Sequence, residues 1–235
     1  ITYNIPCATR LTGSLNVEAM EKTLSEIIRR HEILRTRFQE VEGKPQQIVD
    51  EAGPIHLRLK NLSHLPEDVR ESEAVKLAES EAGQPFNLSE GPLLRLSLIK
   101  ISESEHILLL TMHHIISDAW SFGIMVRELQ ALYCAYCDNT VQTLAPMTIQ
   151  YADYARWQQQ PFFQKLSADQ LDYWKKKLAD LPPLLDLPTD HPRPAVQTFA
   201  GSSVDFALPA TLTKHIQTLR RQEGATLFMV LMAGF

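Results

Sequence analysis

Apolar residues change their spacing several times along this chain, and each change marks an element. Val17, Met20, Leu24, Ile27 and Ile28 recur every three or four residues, which is one face of a helix over 17–30. Asn16 is placed to cap it. Residues 5–12 ahead of it read as a strand running into a loop at Gly13-Ser14. Phe38–Val41 and Gln46–Val49 flank Glu42-Gly43-Lys44-Pro45, a hairpin with weak turn chemistry. Ile55, Leu57 and Leu59 alternate with His56, Arg58 and Lys60, the period of a strand buried on one face. Pro66 opens a helix to about Ala82, with Val69, Ala74 or Val75, Leu77 and Ala78 inward. Leu94, Leu96, Leu98 and Ile99 form a strand that turns at Ser102-Glu103-Ser104-Glu105 and returns as Ile107–Met112.

Helices are expected near 120–136, 148–159 and 168–181. A proline-rich stretch over 182–200 then reads as a linker, with Pro182, Pro183, Pro188, Pro192 and Pro194. Val204–Leu208 is a strand candidate, Ala210–Gln222 a helix, and a last helix starts near Thr226. Intermixed helices and hairpins predict an α/β (α+β) fold with an antiparallel component. The expected organisation is a fuller first unit over 1–181, the linker, and the beginning of a second unit over 201–235. The first residue is Ile and the final TLFMVLMAGF reads as a helix cut in mid-course, so a fragment of a longer polypeptide is expected.

Composition narrows the function classes. With 23 basic and 28 acidic residues the net charge is −5, and the two signs are interspersed, which gives nucleic acid nothing to bind. Three cysteines, Cys7, Cys134 and Cys137, are too few and odd in number for a secreted disulfide framework. Neither a membrane span nor a signal peptide is present in the sequence, so a cytoplasmic location is the default expectation.

The candidate chemistry lies in Met112-His113-His114-Ile115-Ile116-Ser117-Asp118-Ala119-Trp120-Ser121, directly after the apolar run Ile107–Leu110. Successive residues at a strand end point to opposite sides, so one histidine can face a cleft and the other the interior. Asp118, four residues past His114, is near enough to order the loop. Imidazole takes up and releases protons near neutral pH, which suits general acid–base work. Taken alone, the pair is as readily a packed strand end, and two His with an Asp are three of the ligands a metal would need.

Three blocks decide between these. His113–Asp118 followed by Trp120-Ser121 is similar to the HHxxxDG signature of nonribosomal peptide synthetase condensation domains, members of the chloramphenicol acetyltransferase-like superfamily. Arg30-His31-Glu32-Ile33-Leu34-Arg35-Thr36-Arg37-Phe38 resembles that family's RHExLRTxF block, and Tyr151-Ala152-Asp153-Tyr154-Ala155-Arg156-Trp157 its YxDYAxW block, in the family's order. The resemblance implies a two-layer sandwich, with the first subdomain present plus the start of the second; the family's opening block and its later blocks are absent. Ala119 stands where the family usually has Gly, a change that matters only if the backbone there needs φ > 0 or touches substrate.

The resemblance implies amide formation between a donor acyl or peptidyl thioester and an acceptor aminoacyl thioester, of the L-donor to L-acceptor subtype. It implies no cofactor or metal on the chain itself. Substrates arrive on the 4′-phosphopantetheine arms of upstream and downstream peptidyl carrier domains, with an adenylation domain adjacent. His114 is then the catalytic residue, as general base or by positioning. His113, Asp118, Ala119, Ser121, Arg30 and Arg35 support it, with Asp118 expected to pair with an arginine, Arg30 and Arg35 being candidates. The helical stripe Tyr151, Tyr154 and Trp157, and Trp174, read as packing. Cys134-x-x-Cys137 reads as a packed or idle pair. An epimerisation domain, a stand-alone acyltransferase and a degenerate docking platform are the alternatives.

Overall fold

The computed structural model describes residues 2–140, 144–182, 184, 187–198, 201–202 and 204–235. Pro183 and Ala200 of the expected linker lie outside them. The chain divides into two compact units, Ile1–Leu185 and Asp186–Phe235.

The first unit is built on a sheet in the order β1-β6-β5-β4, from β1 (Asn4–Thr12), β4 (Arg58–Asn61), β5 (Leu94–Ser102) and β6 (Glu105–His113). β6 runs antiparallel to both β1 and β5, and β4 is parallel to β5. A separate hairpin pairs β2 (Thr36–Val41) with β3 (Lys44–Val49). Its turn is only Glu42-Gly43, tighter than the sequence suggested. Both residues have positive φ (53° and 73°), the geometry of a two-residue hairpin turn that follows strand twist.

Helices cover both faces of the main sheet. α1 (Val17–Arg30) and α3 (Ala119–Cys137) bury Met20, Leu24, Ile27, Ile28, Met125 and Leu132 against Leu94, Leu98, Leu108, Leu110 and Met112. α2 (Glu67–Ala82) sets Ala74 against Ile99, Ile101, Ile107 and Leu109 on the other face. This two-sided burial explains the unbroken apolar run of β6, since neither face of that strand meets water. Asn16 caps α1 as expected, its Oδ1 accepting from Ala19 N at 3.0 Å.

Several expectations need correction. Only Arg58–Asn61 is a strand, because the Ile55 and Leu57 amides are taken by α1 side chains, Ser25 Oγ and Glu21 Oε1, both at 2.8 Å. Leu59 is consequently half exposed. Val69 and Val75 are exposed on α2, and Pro66 occupies its cap position. α4 spans Tyr151–Gln158 and α5 spans Pro161–Lys177, so the second helix starts seven residues early, with Pro161 in the first turn where a missing N–H costs nothing. Tyr151, Tyr154 and Trp157 stack in sequence along α4, but each remains about half exposed, and so does Trp174.

The second unit holds α6 (Ala210–Gln222) and α7 (Leu227–Gly234), the latter capped by Thr226 Oγ1 accepting from Met229 N at 3.1 Å. Val204–Leu208 is not a strand: no described residue pairs with it, and an extended segment becomes a strand only through a partner's hydrogen bonds. No described helix is long and apolar enough to cross a membrane.

Candidate active site

β6 delivers the histidines. Its ladder extends just past its last residue, because His113 N donates to Leu93 O at 3.0 Å and His114 N to Tyr3 O at 2.8 Å. The chain then turns, closed by Ile116 N to His113 O at 3.0 Å. Beyond the turn, Ile116 and Ser117 are buried, while His114, Ile115 and Asp118 are exposed. The loop is thus pinned by its inner residues and presents His114 outward.

The two imidazoles have different surroundings. His113 lies beside Tyr3 and edge-on to Phe86, with ring centroids 5.9 and 6.2 Å away. The Arg95 guanidinium sits 3.8 Å over the Phe86 ring and bonds Glu81, which joins this stack to the end of α2. The Nδ1 atom of His113 accepts from Ile115 N at 3.0 Å, so in the neutral ring the proton is on Nε2. Burial holds the His113 pKa below the ordinary histidine value, and the neighbouring His114 acts in the same direction. His113 therefore buttresses the turn. The His114 ring is exposed and meets no hydrogen-bond partner among the described residues.

Asp118 is the N-cap of α3. Its Oδ1 accepts from Ser121 Oγ at 2.6 Å and from Ser121 N at 2.8 Å. The Ser121 hydroxyl, then the Ser121 amide, hold its pKa below the usual carboxylate value, with the nearby His114 contributing in the same sense. The expected ion pair to Arg30 or Arg35 is not formed. Asp118 is exposed and satisfied by Ser121, while both arginines are occupied elsewhere. Arg30 bonds Glu128 Oε1 at 3.3 Å and Ala145 O at 2.9 Å; Arg35 bonds the Asp50 carbonyl and lies 3.6 Å from Glu32. Ala119 is the first helical residue of α3, with φ outside the positive range, so its methyl group imposes no backbone strain. Cys134 and Cys137 are exposed free thiols.

Sequence reasoning missed Glu128 and Gln150. Glu128 accepts from His31 Nε2 at 2.8 Å as well as from Arg30. Gln150 bonds the Arg30 carbonyl at 2.8 Å and the Glu32 amide at 3.1 Å. The signal was there for Glu128: it falls between Met125 and Leu132 at helical spacing, a charge on an apolar face. A cavity of about 100 Å³ adjoins the loop, lined by Met112, Ile116, Ser117 and Ser121 together with Ile27, His31 and Leu34.

The model of the family described as "Condensation domain" matches residues 1–235. A linear gramicidin synthase protein of Brevibacillus parabrevis is 48% identical over 233 residues, 99% of this chain and 4% of that protein. Chondramide synthase cmdD of Chondromyces crocatus is 43% identical over 235 residues, 100% of this chain and 6% of that protein. Among solved structures, the X-domain in complex with OxyB from teicoplanin biosynthesis superposes with a TM-score of 0.78 at 30% identity, over 95% of this chain and 49% of that one. The chain therefore spans a small part of these synthases and about half of the solved domain. With the histidine loop, the arginine block and the sheet that carries them all in place, this chain belongs to the condensation domain family.

Proposed function

We propose that the chain catalyses amide formation within a nonribosomal peptide synthetase, joining an L-configured donor thioester to an L-aminoacyl acceptor. Both substrates are carried on 4′-phosphopantetheine arms of peptidyl carrier domains, and an adenylation domain stands next in line. The acceptor amine attacks the donor carbonyl carbon, the new C–N bond replaces the C–S bond, and the amine's proton leaves as the thiolate of the donor arm takes one up. An α-ammonium group has a pKa near ~8, so only about a tenth of it is neutral at pH 7. A neutral imidazole beside it removes that proton or holds the amine in line.

The observation that carries this reading is the exposed ring of His114, without a hydrogen-bond partner among the described residues, on a loop fixed at both ends. Its test is His114→Ala in a complete module with separately loaded carriers. A loss of ~100-fold or more identifies proton transfer, and a few-fold loss identifies positioning. Unchanged condensation refutes a catalytic role for His114. Offering L- and D-configured donors to the same module tests the subtype; preference for the D-donor overturns it. Residues 1–235 alone are expected to be inactive, since the family's channel runs between two subdomains; amide formation by this piece would refute that. A docking role is the second reading, favoured by the likeness to an X-domain solved with a partner protein, and an inactive complete module would support it.

A further inference from the structure

A largely buried carboxylate fourteen residues past His114 ties together elements that carry it. Glu128 on α3, its side chain 13% exposed, takes the guanidinium of Arg30 (9% exposed) and the Nε2 of His31 (16% exposed). Because Nε2 sits 2.8 Å from a carboxylate oxygen, it must carry a proton, and the bond is a donated one. The same Arg30 reaches Ala145 O, and its own carbonyl receives Gln150 Nε2. Gln150 in turn opens α4, its amide donating to Asp153 Oδ2 at 3.0 Å. One carboxylate thus joins the end of α1 to the middle of α3, and through Arg30 to the start of α4.

The histidine loop is held differently. At one end it hangs from β6, and at the other from Asp118 at the start of α3. Between these anchors Ile116 is buried among Ile27, Ile28 and Met125 of the two helices, beside the cavity of about 100 Å³. The lining of that cavity includes His31, the partner of Glu128. The loop therefore takes its position from its two ends and from the helices its buried residues rest on. β6 is fixed by two neighbouring strands, whereas Ile116 and Asp118 follow α3, which packs on α1 through Met125 and Leu132 and is tied to it by the Glu128 carboxylate.

We propose that Glu128 is a positioning residue for His114: it seats α3 on α1, and the Asp118 cap passes that seating to the loop. This rests on the condensation reading above. It predicts that disturbing Glu128 changes turnover and leaves carrier recognition alone, because the side chains of Glu128, Arg30 and His31 are only 13%, 9% and 16% exposed.

The test uses the complete module and four variants. Amide formation by the parent reports on the condensation reading itself, and His114→Ala on the role given to His114. Glu128→Gln keeps the shape but removes the charge, so Arg30 loses its counterion and one of the two donors loses its acceptor. Its kcat per folded molecule is expected to fall ~10-fold or more, with KM for both loaded carriers within about twofold, since a misplacement of ~1 Å is costly to the chemical step. Arg30→Met with Glu128→Gln removes the stranded guanidinium and leaves the amide oxygen free for His31, so kcat is expected to recover at least threefold over Glu128→Gln alone. His31→Phe with Glu128→Gln removes that donor and is expected not to recover. If Glu128→Gln lowers the melting temperature while kcat per folded molecule stays within about twofold of the parent, the residue is only structural and the inference falls. It also falls if the Arg30→Met double variant restores stability without restoring kcat. If His114→Ala leaves condensation intact, the assignment of His114 as the reacting imidazole fails instead, whatever the Glu128 variants do.

Discussion

Replacing Met112 by alanine opens the packing directly behind the histidine pair. Met112 is 1% exposed and is the last fully buried residue before His113. It also lines the cavity of about 100 Å³ beside the loop. Removing three side-chain heavy atoms forfeits about 2 kcal/mol of burial. It also adds roughly 65 Å³ of empty space, which at about 24 cal/mol per Å³ costs a further ~1.5 kcal/mol. The sum, about 3.5 kcal/mol, sits inside the usual span for such a truncation. At a urea slope of about 2–3 kcal/mol per M, the unfolding midpoint falls by more than about 1 M. Trp120, Trp157 and Trp174 are the chain's three tryptophans and all lie in the first unit, so tryptophan fluorescence follows the unit that was changed. The merged cavity, about 165 Å³, passes the roughly 150 Å³ at which apolar voids take up benzene, so saturating benzene is expected to return part of the lost stability. A loss below about 1 kcal/mol, with no response to benzene, would refute the claim that this strand end rests on Met112.

Three further outcomes follow from the geometry. Burial holds the pKa of His106 below 6.5, with Lys100 adding to the shift and Glu103 opposing it, so the unfolded chain takes up the proton first and stability is lost as pH falls below that value. His106→Leu should flatten this dependence in melting scans between about pH 7.5 and 5.5, and an unchanged slope would contradict it. Ala119→Gly should leave condensation within about twofold of the parent, because position 119 starts a helix without positive φ; a large gain would show that the methyl group obstructs substrate. Cys134 and Cys137 should react with a thiol reagent well before half-buried Cys7, and equal rates would contradict their exposure.

Much of the first unit was legible because its signals are short-range. The α1 stripe and its Asn16 cap, the β5–β6 hairpin and the apolar run of β6 each follow from the spacing of neighbours along the chain. So did the exposure of one histidine and the partial burial of the other, since a strand end alternates its side chains. The strand expected at Val204–Leu208 failed for the complementary reason: alternation describes which face is apolar, and says nothing about whether a partner strand exists. Ile55 and Leu57 had the right period too, but their amides were claimed by Ser25 and Glu21, some thirty residues earlier.

The sequence by itself determined the elements around His114, the order of the three motif blocks, and the chemistry an imidazole can bring. The tertiary structure alone decided the partners. Asp118 turned to Ser121, three residues away, while Arg30 and His31 turned to Glu128, nearly a hundred residues away. A charged group's cheapest partner is set by what the fold brings within about 3 Å and shields from water, and that distance has no counterpart in the linear chain.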